Sequence, residues 1–289
     1  MMKIVAMACL GLLMTWSAVA QTITVVYAHR GFRGLSPENT IPAMKHALDM
    51  GADVLEMAIA FSADKQAVVS HDPWVDTSIT LTAEGARIVS EKRIPLYKMN
   101  YSEIMKYDVG SLGHKGFPNQ ARYKAQIPRL VDLIDSVERY AAKKGLKKPM
   151  YSIETKTGKK RDNKAQPAPE EFVQLLMAIL VEKGVQQRVI IQSFDERTLE
   201  IVNRDYPEVL TMINTNKGTL EENMARMTFQ PDYYAPIPSL IDAALVAKCK
   251  ALGIKLLCGN TNDKKEIDRV FSLGVTEYCT DFPYLQLPE

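Results

Sequence analysis

Of the four histidines in the 289-residue chain, two stand where a β-patterned run stops. His29 follows the run Ile23–Ala28 and His71 follows Ala67–Ser70. The unperturbed imidazole pKa is about 6.5, so one such side chain can take a proton from an attacking oxygen while a second gives one to a leaving alcohol. Phosphodiester hydrolysis needs that proton traffic. Arg30 and Lys156 are the cations near those strand ends that can neutralise charge on phosphoryl oxygens. Glu56 and Glu154 lie in the runs Asp53–Ala60 and Met150–Glu154, and two carboxylates from neighbouring parallel strands can hold a hard divalent cation through oxygen. Residues two apart share a strand face, so Ala58 projects with Glu56 and Lys156 with Glu154. Each element also has a plainer reading. A single strand-end histidine is more often a packed core residue, and each glutamate serves equally well in an ion pair with Arg30 or Lys156. His46, in the middle of a helical pattern, reads as a surface residue. His114 falls in an irregular stretch and reads as a substrate contact at most.

The elements that must hold these groups alternate in type. β-runs near Ile23–Ala28, Asp53–Ala60, Ala67–Ser70, Met150–Glu154, Arg188–Gln192, Glu208–Ile213, Asp232–Pro236, Ile254–Leu257 and Glu277–Thr280 are separated for the most part by amphipathic helical patterns. Those patterns cover Thr40–Met50, Leu130–Lys144, Pro169–Lys183, Glu196–Asp205, Leu220–Thr228, Leu240–Leu252 and Lys264–Leu273. Such alternation implies a parallel sheet wrapped by helices. The second and third runs are separated only by Phe61–Gln66, too short for a helical crossover, so they form a local hairpin. The remaining eight runs fit an α/β (β/α)8 TIM barrel, whose catalytic groups gather at the C-terminal ends of the strands. Residues 73–128 break the rhythm with Pro73, Gly110, Gly113, Gly116 and Pro118, as expected of a lid or small insertion after the second strand region. The lysine-rich run Thr155–Ala168 reads as a solvated loop at the barrel mouth.

Composition limits the partners. Thirty-six basic residues against 34 acidic ones leave no electrostatic footprint for nucleic acid or an anionic membrane, so a small-molecule substrate is expected. Residues 1–20 read as a signal peptide, with Lys3 as the positive region, Ile4–Trp16 as an apolar stretch too short to span a bilayer, and Ala18-Val19-Ala20 before Gln21 as the cleavage site. The expectation is a mature chain of residues 21–289, exported to the periplasm or secreted, with no stable membrane insertion after cleavage. Cys249, Cys258 and Cys279 then remain, an odd number in apolar contexts, and read as buried small hydrophobes. No Cys/His cluster suggests zinc.

The motifs resemble those of the glycerophosphodiester phosphodiesterase family. His29-Arg30-Gly31, Pro37-Glu38-Asn39-Thr40, Glu56-Met57-Ala58, His71-Asp72, Ile153-Glu154-Thr155-Lys156, Gln192-Ser193-Phe194 and Thr280-Asp281-Phe282-Pro283 are similar to its signature segments across essentially the whole mature chain. The resemblance implies a TIM barrel that hydrolyses glycerophosphodiesters to glycerol 3-phosphate and an alcohol. His29 and His71 would be acid and base, and Arg30 and Lys156 would contact phosphate. A Ca²⁺ or Mg²⁺ ion would sit on Glu56 and Glu154. Two departures bear on activity: Ala58 stands where the family has a metal-ligating Asp, and Gly259-Asn260-Thr261-Asn262 replaces a Trp-Thr-x-Asn segment. They open a second reading, a weakly active or inactive paralogue that binds phosphodiester ligands. A third reading makes Glu56 and Glu154 a carboxylate pair acting on glycosides. A neutral sugar, however, needs neither Arg30 nor Lys156.

Overall fold

The structure, a computed structural model, describes residues 24–284. The leader reading of residues 1–20 lies outside them. In chain order the strands are β1 (Val25–Ala28), β2 (Val54–Phe61), β3 (Ala67–Val69), β4 (Met150–Thr155), β5 (Val189–Ser193), β6 (Leu210–Thr215), β7 (Tyr233–Pro236), β8 (Lys255–Cys258) and β9 (Glu277–Thr280). The helices are α1 (Ile41–Asp49), α2 (Tyr101–Ile104), α3 (Leu130–Lys144), α4 (Pro169–Glu182), α5 (Glu196–Asp205), α6 (Leu220–Met224), α7 (Ala243–Leu252) and α8 (Lys264–Ser272). Eight strands pair in parallel around a closed ring, because β1 pairs with both β9 and β2. The ninth, β3, pairs antiparallel with β2 through Ile59↔Val69 and Phe61↔Ala67. The TIM barrel and the local hairpin expected from the sequence are therefore both present.

The strand periodicity explains how the barrel is filled. Inward-facing Tyr27, Val54, Ile190, Met212, Tyr233 and Leu257 form an apolar cluster inside the ring. Two residues further along several of the same strands the side chain becomes polar: Val54 gives way to Glu56, Ile190 to Gln192 and Met212 to Asn214. A step of two keeps the face and moves toward the C-terminal mouth, so an apolar plug carries a polar floor. A second, larger cluster between ring and helices includes Leu55, Met57, Ile153, Ile191, Leu133, Phe172 and Leu199.

Helix ends follow local chemistry. Asp195, Asp242 and Asp263 cap α5, α7 and α8 by accepting from backbone N–H groups, and Gly145 and Gly253 close α3 and α7 in the left-handed conformation. Pro238–Leu240 forms a separate 3₁₀ turn, so α7 begins later than the helical pattern Leu240–Leu252 suggests. Asp242, a strong cap, sets the later start.

Residues 73–128 hold only a 3₁₀ turn, the one-turn α2 and isolated bridges. They are packed nonetheless, with Val75, Leu96, Ile104, Val109, Ala125 and Ile127 clustering over Ala60 and Val68 of the β2–β3 hairpin.

Candidate active site

The polar floor opens into a cleft of about 230 Å³ at the C-terminal mouth, lined among others by His29, Glu56, His71, Glu154, Lys156, Gln192 and Asn214. Each of these arrives by a separate route. His29 is the residue after β1, and its N–H still bonds to the Thr280 carbonyl at 2.9 Å, which prolongs the ladder. The chain then turns sharply, with Arg30 and Gly31 at positive φ. At Gly31 a Cβ would lie 3.0 Å from the Ala43 backbone, so only glycine lets the turn close against α1. His71 comes from the other direction. β2 overshoots the ring, β3 runs back along it, and the Ser70 N–H bonds to the Ala58 carbonyl at 3.0 Å, which sets the next residue at the level of the floor.

Lys156 Nζ lies 2.6 Å from Glu154 Oε2 and 2.9 Å from His71 Nε2. An ammonium group only donates, so His71 accepts through Nε2 and is neutral in this arrangement. Its Nδ1 faces Asp72 at 3.5 Å. Burial works against the Asp72 charge, but the hydrogen bond from His71 and the positive charges of Lys156 and Arg30 outweigh it and hold this carboxyl below its usual value.

Glu56 is buried, with Oε1 accepting from Gln192 Nε2 at 2.8 Å and Oε2 from the Arg30 backbone N–H at 2.9 Å. Asn214 Nδ2 in turn donates to Gln192 Oε1 at 3.0 Å, so the chain of bonds crosses three strands. The Arg30 side chain turns to Glu38, 2.8 Å away, and lies behind the cleft lining. Its charge still acts on both Glu56 and Glu154, and its buried Nε has no partner among the described residues. Glu38 is buried; desolvation opposes its charge, but Arg30 and Arg33 more than compensate and lower its pKa.

The structure thus gathers His29, His71, Glu56, Glu154 and Lys156 in one cleft and sets Arg30 just behind it. His46 is not a simple surface residue, since it is half-buried and its Nδ1 bonds Ser36 Oγ at 3.0 Å. His114 packs against Phe117 in residues 73–128, outside the cleft lining. Reasoning from sequence left Gln192, Asn214, Asn262 and Asp281 without roles. The first two could have been found from periodicity, as polar residues on the inward face of apolar strands. Asn262 and Asp281 sit in loops, where no period applies.

The donor set for a divalent ion is short. Glu56 and Glu154 are the carboxylates at the cleft, Ala58 adds no oxygen, and among the described residues no group of three or more His, Cys, Asp or Glu side chains is arranged around a metal position. Two carboxylates fit an ion of the Mg²⁺ kind, which keeps several waters and takes further oxygens from a substrate phosphate. They do not suffice for an ion held wholly by the protein.

The model of the glycerophosphoryl diester phosphodiesterase family matches residues 29–285, from the first cleft histidine to just beyond β9. The chain belongs to that family. A glycerophosphodiester phosphodiesterase from Caldanaerobacter subterraneus subsp. tengcongensis is 30% identical over 265 residues, which are 90% of this chain and 95% of the relative. Another, from Bacillus subtilis, is 26% identical over 89% of this chain and 83% of its own length. Among solved structures, one from Silicibacter pomeroyi is 26% identical with a TM-score of 0.81 and covers 91% of both chains. An Oleispira antarctica phosphodiesterase, solved with the product sn-glycerol-3-phosphate, has the same fold at a TM-score of 0.71 and 21% identity, over 91% of this chain and 95% of that one.

Proposed function

We propose that this member of the glycerophosphodiester phosphodiesterase family hydrolyses glycerophosphodiesters to glycerol 3-phosphate and an alcohol, with His71 as the base and His29 as the acid. The observation that carries the reading is the convergence of both histidines and Lys156 on one cleft at the C-terminal mouth. His71, accepting from Lys156, has the lone pair a base requires. As the attacking oxygen bonds to phosphorus, its proton passes to His71. The bond from phosphorus to the alcohol oxygen breaks, and His29 protonates that oxygen through the nitrogen not turned to Asp281. Lys156, already beside His71, is placed to offset charge on the phosphoryl oxygens. Arg30 supports the same field from behind Glu56.

Glu56 and Glu154 are the residues that would hold a Ca²⁺ or Mg²⁺ ion, with Mg²⁺ the better fit to so few protein oxygens. Such an ion would supply charge compensation to the phosphate and orientation to the glycerol end. Ala58 favours a second reading, a phosphodiester-binding paralogue of low turnover. Action outside the cytoplasm is part of the proposal and rests on residues 1–20 alone; a mass spectrum of exported protein in which the chain begins at Gln21 would support it, and one that still contains residues 1–20 would contradict it.

Enzymatic detection of glycerol 3-phosphate released from glycerophosphocholine, with Mg²⁺, with Ca²⁺ and with chelator, tests the reading. Release that depends on the ion supports the hydrolase. Binding of the diester without release supports the paralogue.

A further inference from the structure

His29 reaches the cleft only through one of its ring nitrogens. The other, Nδ1, lies 2.5 Å from Asp281 Oδ1, in the loop directly after β9. Asp281 is more tightly held than any of the cleft carboxylates. It is 1% exposed, and Oδ1 also accepts from Arg33 Nε at 2.8 Å. Oδ2 accepts from Asn262 Nδ2 at 2.8 Å, and the Asp281 N–H donates back to Asn262 Oδ1 at 2.9 Å. The Asp281 carbonyl receives the Gly34 N–H at 2.9 Å, which ties the loop after β9 to the loop after β1. Desolvation alone would raise the Asp281 pKa, but the bonds and charges of His29, Arg33 and Asn262 lower it well below the ordinary carboxylate value.

An ionised carboxylate offers no proton, so the hydrogen in the short contact belongs to His29 Nδ1. That fixes Nε2 as the working nitrogen, and the pairing of Asp281 with both Arg33 and Asn262 fixes the plane in which the carboxylate approaches the ring. We propose that Asp281 is the positioning residue of the acid–base pair: it keeps Nδ1 of His29 protonated, so that Nε2 is the nitrogen that carries and gives up the catalytic proton of the imidazolium, and it aims Nε2 at the phosphodiester. Asp281 touches no substrate and acts only through His29. A carboxylate behind a catalytic imidazole does the same in unrelated hydrolases, where orientation and tautomer, not proton uptake, are its contribution. Arg33 and Asn262 serve Asp281 in turn, which gives a reason for an asparagine at this point of the loop after β8. The proposal rests on His29 acting in phosphodiester hydrolysis, but its structural half can be tested without activity.

The experiment pairs ¹⁵N NMR of ring-labelled histidine with kinetics on glycerophosphocholine, for the parent and for Asp281→Asn. An asparagine of the same shape can turn its amide N–H toward Nδ1, which removes the proton from Nδ1 and leaves no carboxylate to support the imidazolium from which Nε2 gives its proton. The expected result is a parent His29 resonance with Nδ1 protonated, a variant with Nδ1 unprotonated, and a kcat about 100-fold lower with KM within about twofold. A purely structural Asp281 would instead lower the yield of folded protein and leave kcat per folded molecule unchanged, which overturns the proposal. So does a parent spectrum in which Nδ1 carries no proton, a result that decides the matter even if the variant fails to fold. Should the parent release no glycerol 3-phosphate, the hydrolase reading fails while the spectra still judge Asp281.

Discussion

Ala58 of β2 stands in register with Glu154 of β4, buried and on the same inward face as Glu56 two residues earlier. A side chain here stands beside Glu154 across the strand pair and two residues along β2 from Glu56, yet it carries only a methyl group. Ala58→Asp would add a carboxylate oxygen donor at that position. With a divalent ion bound, the ion is the largest local charge, and its attraction outweighs the added repulsion between carboxylates. Isothermal titration with Mg²⁺ and Ca²⁺ is expected to show affinity raised about tenfold or more over the parent, with turnover rising alongside. Equal affinities would mean that any ion is held elsewhere.

His29→Ala and His71→Ala should each lower kcat by about 10²–10⁴. The fold should persist, since His29 and His71 line the cleft and neither belongs to the apolar clusters. Circular dichroism checks the fold, and near-parental rates would remove the acid–base assignment.

Asp281 also sets an acid limit to stability. Its pKa is lowered in the folded state, against about 3.9 in an unfolded chain. Its contribution is therefore fully present above that unfolded value and is lost as pH falls through the folded one. Urea titrations from pH 6 down to pH 2 should show the parent losing stability more steeply than Asp281→Asn. Parallel curves would place the acid sensitivity in other carboxylates, such as Glu38.

Burial pushes the Cys249 thiol up to about 11 and the Cys258 thiol up to about 12, and raises Cys279 well above its usual value. Among the described residues all three are free, and they are buried, as their apolar sequence contexts suggest. At pH 8 they should resist iodoacetamide in the native protein and react once it is denatured. Mass spectrometry that finds rapid native labelling would contradict the packing around α7, β8 and β9.

Deleting residues 76–125 should leave the barrel folded, because its two main clusters draw no residue from that range except the peripheral Tyr97. It should also damage activity. Gln120 donates to the Arg33 and Ser36 carbonyls at 2.6 and 3.1 Å, so the insertion holds the loop that carries His29 and Arg33. The Arg93 and Arg161 guanidinium groups both lie over the Trp74 ring, at 4.0 and 5.4 Å, which links the segment to the loop after β4. Unfolding of the truncated chain would make the segment part of the core.

The barrel was legible because its strands obey a period of two and its helices a period of 3.6, and both survive in a single sequence. His29, His71, Glu56 and Glu154 were legible for the same reason, as chemistry at the ends of periodic runs. Arg30 is different, since a residue type at a strand end does not say which way a flexible side chain turns, and this one turns to Glu38. The contact between His29 and Asp281 spans 252 positions. No local pattern encodes it; ring closure of β1 against β9 creates it.

The central claim is that one cleft performs acid–base hydrolysis of a glycerophosphodiester. The most direct test is ³¹P NMR of glycerophosphocholine incubated with Mg²⁺ and either the parent or a His29→Ala, His71→Ala double variant. The account predicts that the diester resonance is replaced by that of glycerol 3-phosphate with the parent and persists with the variant. A diester resonance unchanged by the parent, or lost equally with both proteins, would contradict it.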